Sequence, residues 1–152
     1  MKPVAFVHVS RVREGDDYWG GYISELHLAD HLSEESLNGL DEFSHIEVIF
    51  MFDKVADEKV CWTSRHPRGR ADWPKVGIFA QRGKSRPNKL GLSRCRVLEV
   101  SGRVIRVEGL DALEGTPVLD IKPWMEEFSV RGEVQQPDWS HELMTHYYDD
   151  FE

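Results

Sequence analysis

Short runs of alternating apolar and polar residues occupy most of this chain, and they are rich in β-branched and aromatic side chains. Alternation with a period of two is typical of strands that bury one face. The pattern predicts strands at residues 4–12, 22–28, 43–53, 76–82, 92–100, 103–110 and 116–121. Seven short strands separated by turn residues favour a mainly β fold, namely a small closed or nearly closed barrel.

Turn chemistry sets how two of these strands connect. Ser101 and Gly102 stand between two alternating runs, where a tight hairpin turn needs a residue that tolerates positive φ. Residues 55–73 contain proline, glycine and polar residues without periodicity. We expect them to form a long loop, and such loops inside small domains are usually functional or mobile.

One or two short helices are expected beside the strands. A helix is predicted at residues 33–40, because Ser33 can cap its N-terminus and Gly39 can help to end it. A second short helix is predicted at about 140–147. These two helices are too short to change the fold class.

Size and composition fit a single domain over residues 1–152. The chain is 40% hydrophobic and 30% charged, which is ordinary for a globular protein and excludes global disorder. No window approaches the roughly 20 apolar residues that a membrane span needs. We therefore expect a cytoplasmic protein without a membrane partner.

Charge is divided very unevenly along the chain. Residues 63–106 carry 12 Lys or Arg against two acidic residues, whereas the rest carries 7 against 25. The formal net charge is -8. A basic block of this kind indicates a surface that meets an anion. The anion is a nucleic acid, a nucleotide-like cofactor or the acidic surface of a second copy of the chain.

Histidine spacing gives no support for a metal site. His141 and His146 resemble the zinc-protease helix motif, but they are five residues apart rather than four and so turn to different helix faces. His27 and His31 have the four-residue spacing without an evident third ligand. We therefore expect no metal cofactor.

Other common catalytic motifs are missing from the sequence. It contains no Gly-x-Gly-x-x-Gly or Walker-type run, so a Rossmann site and a P-loop are excluded. Cys61 and Cys95 lie outside any Cys-x-x-Cys pair, which argues against a redox site. No serine has the context of a nucleophile elbow.

Two segments offer side chains for chemistry. Arg86, Pro87 and Asn88 combine a guanidinium with turn-forming residues, which suits a rigid turn that presents donors to an anion. Asp120 and Lys122 share one face of a predicted strand, because they are two residues apart. That pair is either a functional carboxylate and amine or a structural salt bridge, and the spacing leaves both open.

Three segments together carry a family resemblance: Phe-Ser-His at 43–45, the run from Gly-Ile-Phe-Ala-Gln-Arg to Arg-Pro-Asn-Lys-Leu-Gly-Leu at 77–92, and Gly-Thr-Pro-Val-Leu-Asp-Ile-Lys-Pro at 115–123. With Glu-Leu-His-Leu at 25–28, they resemble the TrmO (TsaA-like) tRNA methyltransferases. The resemblance spans about residues 6–124. It implies a small β-barrel that forms a homodimer and binds S-adenosylmethionine. It also implies methylation of the exocyclic amine of threonylcarbamoyl-modified adenosine in tRNA, beside the anticodon.

The same resemblance implies where the cofactor binds. The implied contacts are Arg82, Leu92, the turn of Glu114, Gly115, Thr116 and Pro117, the pair Asp53 and Lys54, and a segment near Arg11 to Arg13. Some positions depart from the usual family residues: Gln81 replaces Thr, Gly83 replaces Ser, Lys89 replaces Pro and Glu114 replaces Asp. Residues 125–152 are expected to form a C-terminal extension that packs on the barrel or on the dimer partner, where longer bacterial relatives carry a further domain.

Methyl transfer from a sulfonium requires in-line positioning more than covalent chemistry. Asp120 is the candidate that accepts the proton of the amine or orients it, with Lys122 or Arg86 holding negative groups of the substrate. Two other functions stay open. One is a methyltransferase of a small molecule or another RNA, and the other is a module that binds S-adenosylmethionine without catalysis.

Overall fold

Six antiparallel strands close into a barrel in the order β1–β2–β7–β6–β3–β8, in a computed structural model that describes residues 1–9 and 15–150. The strands are β1 (Ala5–Val9), β2 (Ile23–Leu28), β3 (His45–Met51), β6 (Leu90–Ser101), β7 (Val104–Glu108) and β8 (Pro117–Pro123). The first and last strands pair, with Ala5 opposite Val118, which closes the ring. The predicted mainly β barrel is confirmed.

Within the part of the chain that the structure describes, two further strands and one helix lie outside the barrel. Strands β4 (Ser64–Arg65) and β5 (Val76–Gly77) form a two-stranded sheet, and α1 spans Asp138–Met144. Short 3₁₀ turns fill several connections: Glu34–Leu37, Leu40–Glu42, Asp57–Lys59, Pro67–Gly69, Ile78–Ala80 and Glu126–Phe128. The predicted loop at 55–73 therefore contains two such turns and the short β4.

Alternate residues of the barrel strands fill its interior, as the period-two pattern requires. The largest fully buried side chain is Phe50 on β3, and its ring lies against the backbone of Gly91 on β6. A Cβ atom at Gly91 would lie only 2.4 Å from that ring. Glycine is therefore the residue that lets β6 pass over Phe50.

The strand directions determine which connections lie together at each end of the barrel. Because all barrel pairs are antiparallel, β1, β3 and β7 end where β2, β6 and β8 begin. We call this end of the barrel the Glu114 rim, since Glu114 lies in the connection that leads into β8. The β6–β7 hairpin turn lies at the opposite end of the barrel.

The hairpin prediction is confirmed, with Gly102 at a φ of 58° between β6 and β7. The strand predicted at 76–82 is wrong beyond residue 77. There the chain leaves the strand for the 3₁₀ turn Ile78–Ala80, which buries Ile78 and leaves Phe79 80% exposed. The Gln81 amide holds this path by donating to the carbonyls of Arg65 and Val76 over 3.0 and 2.9 Å.

Residues 33–40 form two 3₁₀ turns rather than one helix. Ser33 does cap the first turn, because its hydroxyl accepts from the Glu35 N–H over 3.2 Å. Gly39 at a φ of 85° separates this turn from the next. Helix α1 begins at Asp138 and ends at Met144, near the predicted 140–147. The predicted strand end at 10–12 lies outside the described residues.

Candidate active site

The connection that precedes β8 is tied to the end of β1. The Glu114 carboxylate accepts from the Val9 N–H over 2.6 Å and lies 3.4 Å from Nδ1 of His8. Gly115, at a φ of 80°, donates its N–H to the Val7 carbonyl over 2.8 Å. The positive φ lets the chain turn sharply here. The turn therefore presents a partly exposed carboxylate at the Glu114 rim.

Lys54 joins this turn to the end of β3. Its Nζ donates to the main-chain carbonyl of Glu114 over 2.6 Å. Asp53, also exposed, follows β3 and donates its N–H to the Met51 carbonyl over 2.9 Å. The structure thus brings together two of the predicted cofactor segments, which are 60 residues apart in sequence.

Arg82 and Leu92 form the third predicted cofactor segment. The Arg82 guanidinium donates to the Leu92 carbonyl over 2.9 Å, and both side chains are exposed. Leu92 lies near the start of β6, and β6 begins at the Glu114 rim. Residues of all three predicted cofactor segments thus lie at the Glu114 rim. The predicted segment near Arg11 to Arg13 lies outside the described residues.

Asp120 and Lys122 project outward from β8. Lys122 Nζ lies 3.4 Å from Asp120 Oδ2, while Oδ1 accepts from the Ile121 N–H over 2.9 Å. The strand register places Asp120 opposite Ile49, and Ile49 opposite Leu92. The candidate acceptor and a predicted cofactor residue therefore share one row across three strands, about 10 Å apart at the usual strand spacing.

Arg86 is placed differently from the other candidates. Its guanidinium donates to the carbonyls of Gln81 and Gly83 over 2.7 and 3.4 Å and is partly buried. It therefore holds the 81–86 segment that carries Arg82. Lys89 acts similarly, because its Nζ donates to the Val55 carbonyl over 2.8 Å and pairs with Asp57. This pair lowers the pKa of the Asp57 carboxyl.

The C-terminal segment also reaches this rim, which the sequence did not predict in any detail. The Tyr147 hydroxyl and the Ser93 hydroxyl both donate to the Asp111 carboxylate. Burial raises the pKa of the Tyr147 phenol far above its ordinary value, and Asp111 adds to the rise. Burial likewise raises the pKa of the Cys95 thiol, two residues after Ser93 on β6. No spacing pattern links Tyr147 with Asp111, so only the fold reveals this junction.

A groove runs along the outer face of β1 and β2 beside the turn. It has a volume of about 390 Å³, and its lining residues are His8, Val9, Ile23, Glu25, Arg106 and Glu114. A second cavity of about 420 Å³ shares His8 and extends toward Phe6 and Asp30. The His8 and His27 rings pack with centroids 4.0 Å apart. Both depressions are open to solvent, and the groove beside the turn is lined by Glu114 of the predicted cofactor turn.

Among residues 1–9 and 15–150, no group of three or more His, Cys, Asp or Glu side chains is arranged to hold a metal ion. His146 instead pairs with Asp149 over 2.8 Å. Within the same residues, no helix has both the length and the apolar character needed to cross a membrane.

Comparison with known proteins adds family evidence to this geometry. Residues 18–130 match the family model of the tRNA-methyltransferase O N-terminal domain. A human protein named tRNA (adenine(37)-N6)-methyltransferase is 38% identical over 104 residues, which cover 68% of this chain and 23% of that protein. A probable S-adenosyl-L-methionine-binding protein of Pyrococcus abyssi is 40% identical over 101 residues, covering 66% and 52%. The chain thus spans about a quarter to a half of the length of these relatives.

Solved structures share the fold. A crystal structure of TrmO from P. aeruginosa has a TM-score of 0.71 at 24% identity, covering 90% of this chain and 59% of that one. A second TrmO crystal structure has a TM-score of 0.69 at 25% identity, with coverage of 88% and 61%. The barrel is therefore the fold of these proteins.

Proposed function

Because the chain belongs to the family of the tRNA-methyltransferase O N-terminal domain, we propose that it is an S-adenosylmethionine-dependent methyltransferase. Its proposed substrate is the exocyclic amine of threonylcarbamoyl-modified adenosine in tRNA. The observation that carries the proposal is the convergence of Lys54, Glu114 and the Arg82–Leu92 pair on one rim. The name of the human relative supports methylation of a tRNA adenine, and the name of the Pyrococcus abyssi relative supports this cofactor.

The residues at the rim fit the chemical groups of S-adenosylmethionine. Lys54 and Arg82 are exposed cations that suit the carboxylate of the methionyl part. The partly exposed Glu114 carboxylate suits ribose hydroxyls, and the Leu92 side chain, 41% exposed, offers an apolar contact to the adenine. When bound, the cofactor supplies an electrophilic methyl group.

The protein has to hold the acceptor amine in line, exclude water and take up one proton. An adenine amine becomes acidic only as it gains the methyl group, so the proton acceptor acts late. Asp120 is the proposed acceptor, because its carboxylate is exposed on the row of Leu92 and Lys122 holds it from one side. Lys122 also offers its exposed amine to negative groups of the substrate. Arg86 contributes by fixing the segment of Arg82.

The basic residues of β6 provide a surface for the tRNA backbone. Arg94 and Arg96 project outward from this strand, and the Arg94 guanidinium stacks on the Trp124 ring 4.1 Å from its centroid. Glu47 of β3 lies opposite both Arg94 and Lys122 in register. These side chains lie on the face that also carries Asp120. Phosphate contacts by such residues predict affinity that falls steeply with salt.

We extend the proposal to assembly and location. A cytoplasmic homodimer of single-domain subunits accords with tRNA as substrate. The exposed aromatic side chains Trp62 and Phe79, each at least 70% exposed, offer apolar area for a second subunit. Sedimentation at micromolar concentration tests this assembly, and a monomer there contradicts it.

The test is methyl transfer by the full chain to matched tRNAs. Radiolabelled S-adenosylmethionine is supplied with a tRNA that carries the threonylcarbamoyl group, or with the same tRNA lacking it. We expect label in the modified tRNA only, and mass spectrometry should place it on the modified adenosine. Cofactor binding without transfer to either tRNA would favour the non-catalytic module. Transfer to a small-molecule fraction instead would favour the other methyltransferase.

A further inference from the structure

Residues 138–150 cross the Glu114 rim, and we call them the C-terminal strap. They lie beyond residues 18–130, the region that the family model matches. The Tyr18 and Trp19 N–H groups donate to the carbonyls of His146 and Tyr147 over 3.0 and 2.8 Å. Residues 18 and 19 lead into β2, which begins at this rim. The strap is therefore attached to the barrel at the end where the proposed cofactor residues meet.

Side-chain contacts fix the path of the strap at two further points. The Tyr147 hydroxyl donates to Asp111, which also accepts from Ser93 inside β6. Trp73 donates its indole N–H to Glu142 of α1 over 2.8 Å. These anchors come from distant parts of the chain, so the strap has one defined position rather than a set of loose ones.

The backbone of Tyr148 lies directly on Gly20. A Cβ atom at Gly20 would lie 1.9 Å from the Tyr148 carbonyl oxygen, so this approach requires glycine. The Tyr148 side chain remains 54% exposed, and its ring packs edge-on against Tyr147 with centroids 4.9 Å apart. The strap thus holds an accessible aromatic ring at the rim in a fixed orientation.

The charges around this ring are those of the proposed active site. Burial raises the pKa of the Tyr148 phenol and Asp111 adds to the rise, while the guanidinium groups of Arg82 and Arg94 oppose it. Geometry places both arginines on the same side of the barrel as the strap: Ser93 and Tyr147 share the Asp111 carboxylate, Arg94 follows Ser93 on β6, and Arg82 is bonded to the Leu92 carbonyl just before it. One belongs to the proposed cofactor contacts, and the other lies on the basic strand β6. An aromatic face beside guanidinium groups is the arrangement that binds unstacked bases of RNA.

We propose that Tyr148 is a substrate-binding residue whose ring stacks on a nucleobase of the RNA, and that Tyr147 and Gly20 position it. This inference rests on the proposed function, since it names how the RNA reaches the same rim. The ligand class is a single-stranded nucleotide of an anticodon loop, with its base on the Tyr148 ring and its phosphate near Arg94. The strap contributes to substrate recognition from outside the matched family region.

The test uses a fluorescently labelled anticodon stem-loop RNA carrying the threonylcarbamoyl group, and the full chain with Tyr148→Ala, Tyr148→Trp or Phe128→Ala. Loss of one base–aromatic stack weakens binding about 5- to 150-fold, so Tyr148→Ala should raise the RNA Kd and the KM for tRNA by that factor. Tyr148→Trp keeps a stacking face and should bind RNA about as well as the wild type. Phe128→Ala removes another exposed aromatic, beyond the end of β8, and should change neither constant.

Calorimetry with S-adenosylmethionine and thermal unfolding complete the test. We expect Tyr148→Ala to keep the cofactor Kd and the melting temperature close to wild type. Tyr147→Phe, which frees the strap from Asp111, should weaken RNA binding while Tyr148 is still present. Unchanged RNA affinity of Tyr148→Ala would overturn the inference, as would an equal loss of cofactor affinity. A wild-type chain that neither binds nor methylates the RNA would instead refute the proposed function, and this inference with it.

Discussion

Lys54 Nζ donates a hydrogen bond to the main-chain carbonyl of Glu114 over 2.6 Å and thereby joins the end of β3 to the turn before β8. Both side chains are at least partly exposed, so neither is needed to fill the core. The contact holds the Lys54 cation at the turn that carries the Glu114 carboxylate. An arrangement that contributes little to folding and orients two charged groups is expected at a binding site.

Lys54→Met tests this contact directly. We expect the Kd of S-adenosylmethionine to rise about tenfold or more, because a charge-assisted donor is lost from the site. The free energy of unfolding should change by less than about 0.5 kcal/mol, since the residue is exposed. Calorimetry and urea unfolding measure the two effects. Lys75→Met, at another exposed lysine, is the control, and equal cofactor affinity in the two variants would remove Lys54 from the site.

Asp120→Asn keeps the shape of the side chain and removes its negative charge. If Asp120 accepts the proton, the single-turnover methylation rate should fall by about 100-fold or more, while the cofactor still binds. Asp41→Asn, at an exposed residue outside the barrel strands, should leave the rate unchanged. A normal rate in the Asp120 variant would leave the pair with Lys122 as a structural salt bridge.

Alkaline pH should weaken the fold through Tyr147 and Cys95. Both groups have pKa values raised by burial, so the folded chain keeps their protons while the unfolded chain releases them. Their stabilising effect is complete below the ordinary pKa values, 9.0 for the thiol and 10.0 for the phenol, and is lost as the pH rises above them. Urea midpoints measured from pH 7 to pH 11 should therefore decrease at the alkaline end.

Tyr147→Phe distinguishes the contribution of the phenol to this pH dependence from the contribution of the thiol. The variant loses the hydrogen bond to Asp111 and should be less stable at neutral pH. Its stability should also decline less steeply above about pH 10, because one titrating group is gone. Parallel curves for the variant and the wild type would show that Tyr147 does not hold its proton in the folded chain.

Gly91→Ala should destabilise the barrel. The new methyl group would lie 2.4 Å from the Phe50 ring, and overpacking of this kind typically costs about 1–3 kcal/mol. Gly77→Ala is the matched control, since its nearest neighbour would be the Thr63 carbonyl oxygen at 4.0 Å. Equal melting temperatures of the two variants would mean that β6 shifts to accept the methyl group.

The alternation of residues was sufficient to predict the strands, because a barrel strand with one buried face repeats every two residues. It failed at residues 78–82, where Ile78 is buried by a turn rather than by a strand. The pairing of strands, and so the row of Asp120, Ile49 and Leu92, depends on register that no local pattern encodes.

The candidate site was predictable only as far as its segments match a family motif. Arg86 shows the limit of that approach, because the sequence identifies a guanidinium in a turn but not that it holds the carbonyls of Gln81 and Gly83. The strap shows the same limit. Asp111 and Tyr147 are 36 residues apart, and only the folded chain brings them into contact.

Hydrogen exchange with and without S-adenosylmethionine tests the central claim, that one rim of the barrel binds the cofactor. Amide protection reports where a ligand stabilises the backbone. The account predicts that saturating cofactor slows exchange in residues 53–54, 82–92 and 114–117 together, and leaves the hairpin turn at 101–103 on the opposite rim unchanged. Protection of the opposite rim, or of only one of the three segments, would contradict it.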